Sequence, residues 1–223
     1  MFFQNIKVLI WDFDGTLYKP NPALFAEVRE AEYKTIQIHT GWERAHVIEE
    51  FNKLHKKVYP SATETVGKLT GRTTTQAALE MENYFDRRKF LQRDEQLIKL
   101  FKLLKRYKHY ILANGVRKRL EETLDVLGIP KNTFQEIVTS EIAGENKSSP
   151  LGFHYILGKT GLPPDQHLMI GDRELVDLAP AKALGMKTCL VWSDKTSHIA
   201  DVTLPDVYSL ASLFTITRKH GIR

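Results

Sequence analysis

The sequence has 223 residues, of which 42% are hydrophobic and 26% are charged. This length accommodates one domain of ordinary size with a smaller insert but not two full domains, and the composition excludes a disordered or fibrous chain. The net charge of +5 comes from basic residues scattered among acidic ones, without a basic block interleaved with aromatic residues, so a nucleic acid is not an expected partner. A mild positive field that attracts small anionic substrates is an adequate explanation of the charge.

Membrane association and secretion are not expected either. No apolar stretch reaches the roughly 18 to 20 residues that a membrane-spanning helix needs, and the N-terminal residues lack the features of a signal peptide. The single cysteine, Cys189, lies in an apolar run and is expected to be a small core residue rather than a nucleophile. We therefore expect a cytoplasmic protein.

The first predicted strand is followed by a long helical region. Lys7–Trp11 is an apolar run that ends abruptly at Asp12–Thr16, as expected for a buried parallel strand with a polar loop at its carboxyl end. Between about Pro22 and Arg93 the apolar residues recur at helical spacing, which predicts an insert of about four helices with breaks at Pro60 and Gly71.

After the insert, strands alternate with helices. Further strands are predicted at 110–112, 136–139, 167–170, 187–192 and near 202–204. Helices are predicted at 95–106, 118–127 and 150–160, and two more are predicted to end at Leu184 and to begin at Val207. Because such alternation implies crossover connections and a parallel sheet, we predict a Rossmann-like, three-layer α/β core with an inserted all-helical cap domain. The predicted core comprises residues 1–18 and 94–223, and the predicted cap comprises residues 19–93.

Four aspartates follow predicted strands. Asp12 and Asp14 come after the first strand, and Asp172 and Asp177 come after the strand that ends near Ile170. In parallel sheets ligands bind beyond the carboxyl ends of the strands, where these side chains would meet. Carboxylates that crowd together without a cation are unfavourable, and an oxygen-rich pocket suits Mg²⁺. The aspartates therefore predict a magnesium site.

Three segments carry a family resemblance. Trp11–Tyr18 (W-D-F-D-G-T-L-Y) resembles the first motif of the haloacid dehalogenase (HAD) superfamily, and Gly171–Asp177 resembles its last motif. Lys147, followed by Ser-Ser-Pro and then Phe153, resembles its lysine motif. The order of the motifs holds over nearly the whole chain. The resemblance implies a HAD-like hydrolase with a helical cap.

The resemblance implies a covalent mechanism. Asp12 would be the nucleophile that forms an aspartyl-phosphate, and Asp14 would be the general acid and then the base that activates water. Lys147 would neutralise charge and steady the nucleophile. Mg²⁺ would be held by Asp12, the backbone carbonyl of Asp14 and Asp172, with Asp177 either a ligand or a support for one.

Asp14 and Thr16 also separate subclasses of the superfamily. Dehalogenases attack carbon and place no acid/base aspartate at the position of Asp14, whereas phosphatases do. Thr16 is more typical of phosphatases that act on small monoesters than of transport ATPases. The peptide N–H groups of the loop from Phe13 to Thr16 would help to cradle the phosphate.

The second motif departs from the family pattern. It usually ends its strand with Ser or Thr, whose hydroxyl binds a phosphate oxygen, but here Ala113 holds that position. The loss of one neutral hydrogen bond costs about 0.5 to 1.5 kcal/mol, so we expect weakened phosphate binding rather than abolished chemistry. Asn114 and Gly115 remain available as phosphate contacts.

The most polar break in the predicted cap, Gly71–Thr75, has two interpretations. Arg72 could contact an anionic or sugar portion of the substrate, as loops in related caps do. Alternatively, the segment is only a helix N-terminus, with Thr73 to Thr75 starting the helix Gln76–Tyr84.

These features predict a Mg²⁺-dependent phosphatase that acts on a small phosphorylated metabolite, either a nucleotide or a sugar phosphate, as a monomer or homodimer. Two alternatives stay open. A sugar phosphomutase of the same fold would return the phosphoryl group to a bound intermediate and would need a bisphosphate activator. A non-catalytic HAD-like binding protein is favoured only by Ala113.

Overall fold

The computed structural model describes residues 3–58, 61–145, 147 and 149–214. Within these residues, six parallel strands form one sheet in the order β3-β2-β1-β4-β5-β6. The strands are β1 (Val8–Trp11), β2 (Lys108–Leu112), β3 (Glu136–Val138), β4 (His167–Gly171), β5 (Lys187–Leu190) and β6 (Val202–Thr203). The predicted parallel α/β core is thus confirmed.

Helices connect these strands and form the helical insert between β1 and β2. The α-helices are α1 (Pro22–Thr40), α2 (Arg44–Val58), α3 (Ala62–Thr70), α4 (Thr74–Met81), α5 (Glu95–Leu103), α6 (Arg117–Leu127), α7 (Ser140–Ala143), α8 (Leu151–Thr160) and α9 (Ala179–Ala183). Short 3₁₀ turns cover Arg87–Phe90, Lys131–Thr133, Pro164–Gln166 and Tyr208–Leu213. Among the described helices, none is both long and apolar enough to cross a membrane.

The central strand β1 shows why the core has three layers. Its four residues are all completely buried, as expected for a strand covered on both faces. Successive side chains of a strand point to opposite faces. Leu9 and Trp11 therefore pack with the apolar faces of α5 and α6, and Val8 and Ile10 pack with those of α8 and α9.

The helices α1–α4, here called the cap helices, have an apolar cluster of their own. Asn21 caps α1 by accepting hydrogen bonds from two backbone N–H groups, and Pro22 occupies the first position of the helix, where its missing N–H costs nothing. Gly41 and Gly71 end α1 and α3 in the left-handed conformation, so the predicted break at Gly71 is confirmed. The buried members of the cluster are Ala31, Tyr33, Ile36, Val47, Phe51, Val66, Ala77 and Met81.

Some predictions fall beyond these observations. Pro60 and Ser148 lie outside the described residues. The division into a core of residues 1–18 and 94–223 and a cap of residues 19–93 stays a prediction.

The structure differs from the predicted elements after β4. The helix expected up to Leu184 is a π-helix over Glu174–Leu178 followed by the short helix α9, and such wide turns often mark functional sites. The strand expected to reach Trp192 ends at Leu190, because Trp192 has a left-handed backbone with φ of 58°. Cys189 is fully buried, and burial raises the pKa of its thiol, which agrees with its predicted role in the core.

Candidate active site

Asp12 lies where the sheet ends. Its backbone N–H donates to the carbonyl of Ile170 in β4, at 2.9 Å, so the parallel pairing of the two strands continues to the first residue of the loop. The side chain is only 3% exposed. The Thr16 hydroxyl donates to Asp12 Oδ2 at 2.8 Å, and Lys147 Nζ donates to Asp12 Oδ1. Both carboxylate oxygens are therefore fixed by the protein.

A glycine brings the loop after β1 against the loop after β4. Gly15 has φ of 84°, and a Cβ atom at this position would lie 2.7 Å from Asp172 Oδ2. Only a glycine combines the left-handed backbone with this close approach. The indole N–H of Trp192 holds the same loop from another side by donating to the Thr16 carbonyl at 2.9 Å.

Lys147 is the buried cation of the site. Besides Asp12, its Nζ contacts Asp177 Oδ1 at 2.8 Å and the Leu112 carbonyl at 3.0 Å. Burial lowers the pKa of Lys147, but Asp12 and Asp177 outweigh that effect and raise it above its ordinary value. In turn, burial raises the pKa of Asp12, and the charge of Lys147 together with that of Arg173 brings it below the usual range. Asp12 is therefore an ionised carboxylate at neutral pH.

Asn114 positions this lysine. Its side-chain oxygen accepts a hydrogen bond of 2.6 Å from the Lys147 backbone N–H. Sequence reasoning assigned Asn114 only to the phosphate, whereas the structure shows a link between the loop after β2 and the lysine.

Asp12, Asp172 and Asp177 form a cluster with the geometry of a cation site. Each offers a carboxylate oxygen, and these oxygens all lie within 4.8 Å of one another. Burial, then the charges of Asp12 and Asp177, raise the pKa of Asp172 to about 8. Three carboxylates this close therefore repel one another beyond what Lys147 offsets.

The donor set fits a hard divalent cation. Its ligands would all be oxygen atoms, which Mg²⁺ prefers. Asp177 Oδ1 is buried and makes an ion pair with Lys147 but no hydrogen bond of good geometry. Asp177 Oδ2 accepts a hydrogen bond of 3.0 Å from the Arg173 backbone N–H, within the π-helical turn. A cation here would lower the mutual repulsion of the carboxylates.

Asp14 is held by residues that sequence reasoning missed. Arg87 donates to both of its carboxylate oxygens, from Nε at 2.7 Å and from Nη2 at 3.0 Å. Tyr18 donates a third hydrogen bond to Asp14, and Arg87 Nη1 donates to Glu82 Oε2 at 2.6 Å. The side chain of Asp14 thus faces Arg87 and takes no part in the cluster of Asp12, Asp172 and Asp177.

Arg87 lies on the return segment, residues 82–90, which leads from α4 back to the core. It is only 5% exposed, and Glu82 is equally buried. Burial lowers the pKa of Arg87, but Asp14 and Glu82 outweigh that effect and raise it well above its usual value. A partly buried bidentate ion pair therefore joins the loop after β1 to the end of the helical insert.

These groups open on one cavity of about 400 Å³. The sheet side contributes the carboxylates of Asp12, Asp14 and Asp172 and the residues of the second motif. The helical side contributes an apolar wall with a few polar groups. From the sheet side it is lined by Asp12, Asp14, Ala113, Asn114, Gly115, Asp172, Arg173 and Val176, and from the helical side by Leu24, Phe25, Val28, Arg29, Glu32, His55, Ser61, Ala62, Thr63, Ala78, Met81, Glu82, Phe85 and Arg87. The predicted contacts Asn114 and Gly115 thus line the same cavity as Asp12. The methyl group of Ala113 takes the place of the usual hydroxyl.

Arg72 lies elsewhere in the cap. Its Nε donates to His39 at 3.0 Å and lies 3.5 Å from Glu80 Oε2, and among the described residues it does not line this cavity. Thr73 caps α4 in a reciprocal arrangement with Gln76. The geometry favours the helix N-terminus over the predicted substrate contact.

Comparisons with known proteins agree with this architecture. A family model for haloacid dehalogenase-like hydrolases matches residues 6–185. The glyceraldehyde 3-phosphate phosphatase of Methanocaldococcus jannaschii is 28% identical in an alignment of 220 positions that covers 93% of this chain and 94% of that protein.

Solved structures show the same fold. The HAD phosphatase from Thermococcus onnurineus superposes with a TM-score of 0.66 at 21% identity, covering 94% of this chain and 98% of that one. A 2-haloacid dehalogenase from Pseudomonas syringae superposes with a TM-score of 0.58 at 18% identity, with the same coverage. Because the family model spans most of the sequence, the chain belongs to the haloacid dehalogenase-like hydrolase family.

Proposed function

We propose that this protein is a magnesium-dependent phosphomonoester hydrolase that acts through an aspartyl-phosphate at Asp12. One observation carries the proposal. The buried Asp12 carboxylate is held by Lys147 and Thr16, stands beside two further carboxylates, and opens on the same cavity as Asp14. This is the arrangement of a nucleophile with its charge partners and with an acid/base group nearby.

The protein's own residues prepare the nucleophile. Lys147 and Thr16 fix the orientation of the Asp12 carboxylate, and the lowered pKa of Asp12 keeps it ionised. The positive charge of Lys147 also offsets part of the charge of an incoming phosphate. Such pre-organised charges are effective because they need no rearrangement during the reaction.

Asp12 and Asp172, the backbone carbonyl of Asp14 and, as ligand or support, Asp177 would hold Mg²⁺. When bound, the ion supplies charge neutralisation and orientation for the phosphate. The close contact at Gly15 keeps the two loops that carry these groups together.

Asp14 supports a phosphatase over a dehalogenase. It lies two residues from the nucleophile, and its carboxylate lines the cavity. A group at this place can protonate the leaving oxygen and then take a proton from water. Its bidentate contact with Arg87 fixes its orientation in the structure. A phosphate dianion that enters the cavity would compete with Asp14 for the guanidinium of Arg87.

The substrate is a small phosphorylated metabolite. A cavity of about 400 Å³ lies within the range of roughly 300 to 1,000 Å³ that is usual for small-molecule sites. The relative from M. jannaschii is named for a triose phosphate, which favours a sugar phosphate over a nucleotide. A cytoplasmic location and a monomeric or homodimeric state remain predictions.

The test is phosphate release from sugar phosphates, nucleoside monophosphates and p-nitrophenyl phosphate, with Mg²⁺ and with EDTA. We expect release that depends on Mg²⁺ and falls by at least about a thousandfold in Asp12→Asn, as expected when a nucleophile is removed. Asp165→Asn, an exposed carboxylate in a 3₁₀ turn, is the control and should change nothing.

The outcome also separates the alternatives. Activity that appears only with a bisphosphate activator would indicate a mutase. Folded protein that releases no phosphate from any substrate, with metal present, would contradict the proposal.

A further inference from the structure

Helix α1 carries the cavity wall from the first motif into the cap. Its cavity-lining residues recur about once per turn, at Phe25, Arg29 and Glu32. Glu32 is ten residues beyond Pro22, which corresponds to about 15 Å along the helix axis at about 1.5 Å per residue. The cavity wall therefore runs along about two turns of this helix.

A buried carboxylate lies at this place and pairs with an arginine whose side chain is 38% exposed. Glu32 is only 4% exposed, and its Oε2 lies 2.7 Å from Arg29 Nη1. Both atoms are buried, and neither makes a hydrogen bond of good geometry among the described residues. The Arg29 guanidinium also lies over the Phe51 ring, 4.4 Å from its centroid.

This ion pair is not explained by cap stability. Apolar side chains of similar size stabilise a protein interior as well as a buried ion pair does, or better. Burial raises the pKa of Glu32 to about 7 against the opposing charge of Arg29, so its surroundings disfavour the carboxylate. A charged pair that lines a cavity although burial disfavours its carboxylate is a candidate for ligand binding.

His55 of α2 completes the group. It lines the same cavity, and its Nδ1 lies 3.3 Å from the Thr65 hydroxyl. Burial, then the charge of Arg29, lower the pKa of His55, so its ring is neutral at neutral pH and has one donor and one acceptor. Arg29, Glu32 and His55 are here called the distal corner.

The distal corner matches hydroxyl groups better than charged ones. A hydroxyl both donates and accepts, so it can donate to Glu32 while it accepts from Arg29. A carboxylate or second phosphate in the ligand would be repelled by the carboxylate of Glu32, and an amine would be repelled by the guanidinium of Arg29. The wall of Leu24, Val28, Met81 and Phe85 suits the carbon skeleton that lies between the phosphate and such hydroxyls.

We propose that the distal corner binds hydroxyl groups of the leaving group, so that the substrate is the phosphate ester of a sugar or polyol. This assignment rests on the proposed phosphatase activity and specifies its substrate. It makes Arg29, Glu32 and His55 specificity residues that take no part in the bond that breaks.

The test compares two substrates in two variants. Glucose 6-phosphate offers hydroxyls to the distal corner, and p-nitrophenyl phosphate offers none. In Glu32→Gln we expect kcat/KM for the sugar phosphate to fall by about tenfold to a hundredfold, the usual effect of losing hydrogen bonds to a charged group. The value for p-nitrophenyl phosphate should change less than about twofold, because that substrate makes no such bond.

Glu30→Gln is the matched control. Glu30 is on the same helix and pairs with Arg44 at 2.6 and 2.7 Å, but this pair is exposed to solvent and is not part of the cavity wall. Glu30→Gln should leave kcat/KM for both substrates unchanged. Arg29→Lys, which keeps the charge and loses the planar fork, should show the same selective loss as Glu32→Gln and serves if Glu32→Gln does not fold.

The outcomes distinguish this proposal from the proposed function. Suppose that wild-type protein hydrolyses p-nitrophenyl phosphate. If the variants then lose activity equally on both substrates, or keep full activity on both, the distal corner is structural only and the assignment is overturned. If wild-type protein hydrolyses nothing, the proposed function fails. Calorimetric binding of glucose 6-phosphate, compared between wild type and Glu32→Gln, then still decides the role of the distal corner.

Discussion

The sheet edge and the cap helices enclose the same cavity, but they hold their charges differently. At the sheet edge, Lys147 lies between Asp12 and Asp177, and hydrogen bonds from the backbone and from Thr16 fix the carboxylates. On the cap side, Arg29 and Glu32 pair with each other, Arg29 lies over the Phe51 ring, and His55 lines the same cavity. The first arrangement holds its charged groups in fixed positions, as a chemical step requires. The second leaves Arg29 Nη1 and Glu32 Oε2 without a hydrogen bond of good geometry among the described residues, so a ligand could bind them.

This comparison indicates a division of labour. The groups at the sheet edge come from strand ends, whose positions depend on the hydrogen bonds of the sheet. The groups on the cap side come from helix faces and can change without disturbing the sheet. Variants on the two sides should therefore have different signatures: loss of turnover on one side and changes in selectivity or stability on the other.

The largest effect is expected for Lys147→Met. The variant removes the buried cation between Asp12 and Asp177, so kcat should fall by at least about a hundredfold, as when an electrostatic group of an active site is removed. Breaking a buried ion pair also costs about 3 to 5 kcal/mol of stability. Steady-state kinetics and urea denaturation measure the two losses. Lys159→Met, at an exposed lysine, is the control, and full activity in Lys147→Met would refute the assigned role of Lys147.

Arg87→Met tests the link between the sheet edge and the return segment. It leaves buried Glu82 without its partner and removes two hydrogen bonds from Asp14, so we expect a loss of about 3 to 5 kcal/mol together with a lower kcat. Arg87→Lys keeps the charge but not the fork geometry, and should recover part of the stability. Denaturation and kinetics of both variants, with Arg88→Met as the control for a half-exposed neighbour, check this. Equal behaviour of Arg87→Met and Arg88→Met would contradict the link.

Glu32→Gln should alter the pH dependence of stability. The pKa of Glu32 is raised from 4.5 to about 7, so the folded protein retains a proton that the unfolded chain releases between these values. Stability therefore falls as pH rises from about 4.5 to about 7, by about 3 kcal/mol for this single group. Glutamine does not titrate, so it removes this dependence. The free energy of unfolding of Glu32→Gln minus that of wild type should therefore be larger at pH 8 than at pH 4.

Urea denaturation at the two pH values measures that difference. The exposed Glu30 provides the comparison, because Glu30→Gln should show no such gain at pH 8. A parallel pH dependence of wild type and Glu32→Gln would show that Glu32 is not strained by its burial.

The smallest effect is expected for Ala113→Ser, which restores the hydroxyl that the second motif usually supplies. One neutral hydrogen bond is worth about 0.5 to 1.5 kcal/mol, so kcat/KM should rise by no more than about tenfold. Ala78→Ser places the same hydroxyl on the cap side of the cavity and should not increase turnover. A gain in Ala78→Ser, or a loss in Ala113→Ser, would contradict the placement of the phosphate at the sheet edge.

The sheet edge was largely predictable from the sequence, and the cap side was not. Asp12 and Asp172 directly follow apolar runs whose order predicts a parallel sheet, so their convergence follows from the topology. Lys147 lies in a polar loop and was named from the resemblance of that loop to a family motif. Arg87 was missed because its partner Asp14 is 73 residues away along the chain. No periodicity distinguishes a buried arginine from a surface one.

Glu32 was missed for a related reason. A charged residue in a helix is usually solvated, and only the packing of α1 against its neighbours shows that this one is enclosed. For Arg72 the sequence left both a substrate contact and a helix N-terminus open, and in the structure Arg72 contacts His39 and Glu80.

The contacts of Asp14 have a mechanical consequence. The chain passes between the sheet and the cap helices twice, once after Tyr18 and once through the return segment that carries Arg87. Tyr18 and Arg87 both donate to the same carboxylate. Any rotation of the cap helices that moves these two passages apart must break hydrogen bonds of Asp14. Asp14, the proposed acid/base group, therefore links the two passages, and the same hydrogen bonds fix both the distance between the passages and the orientation of its carboxylate.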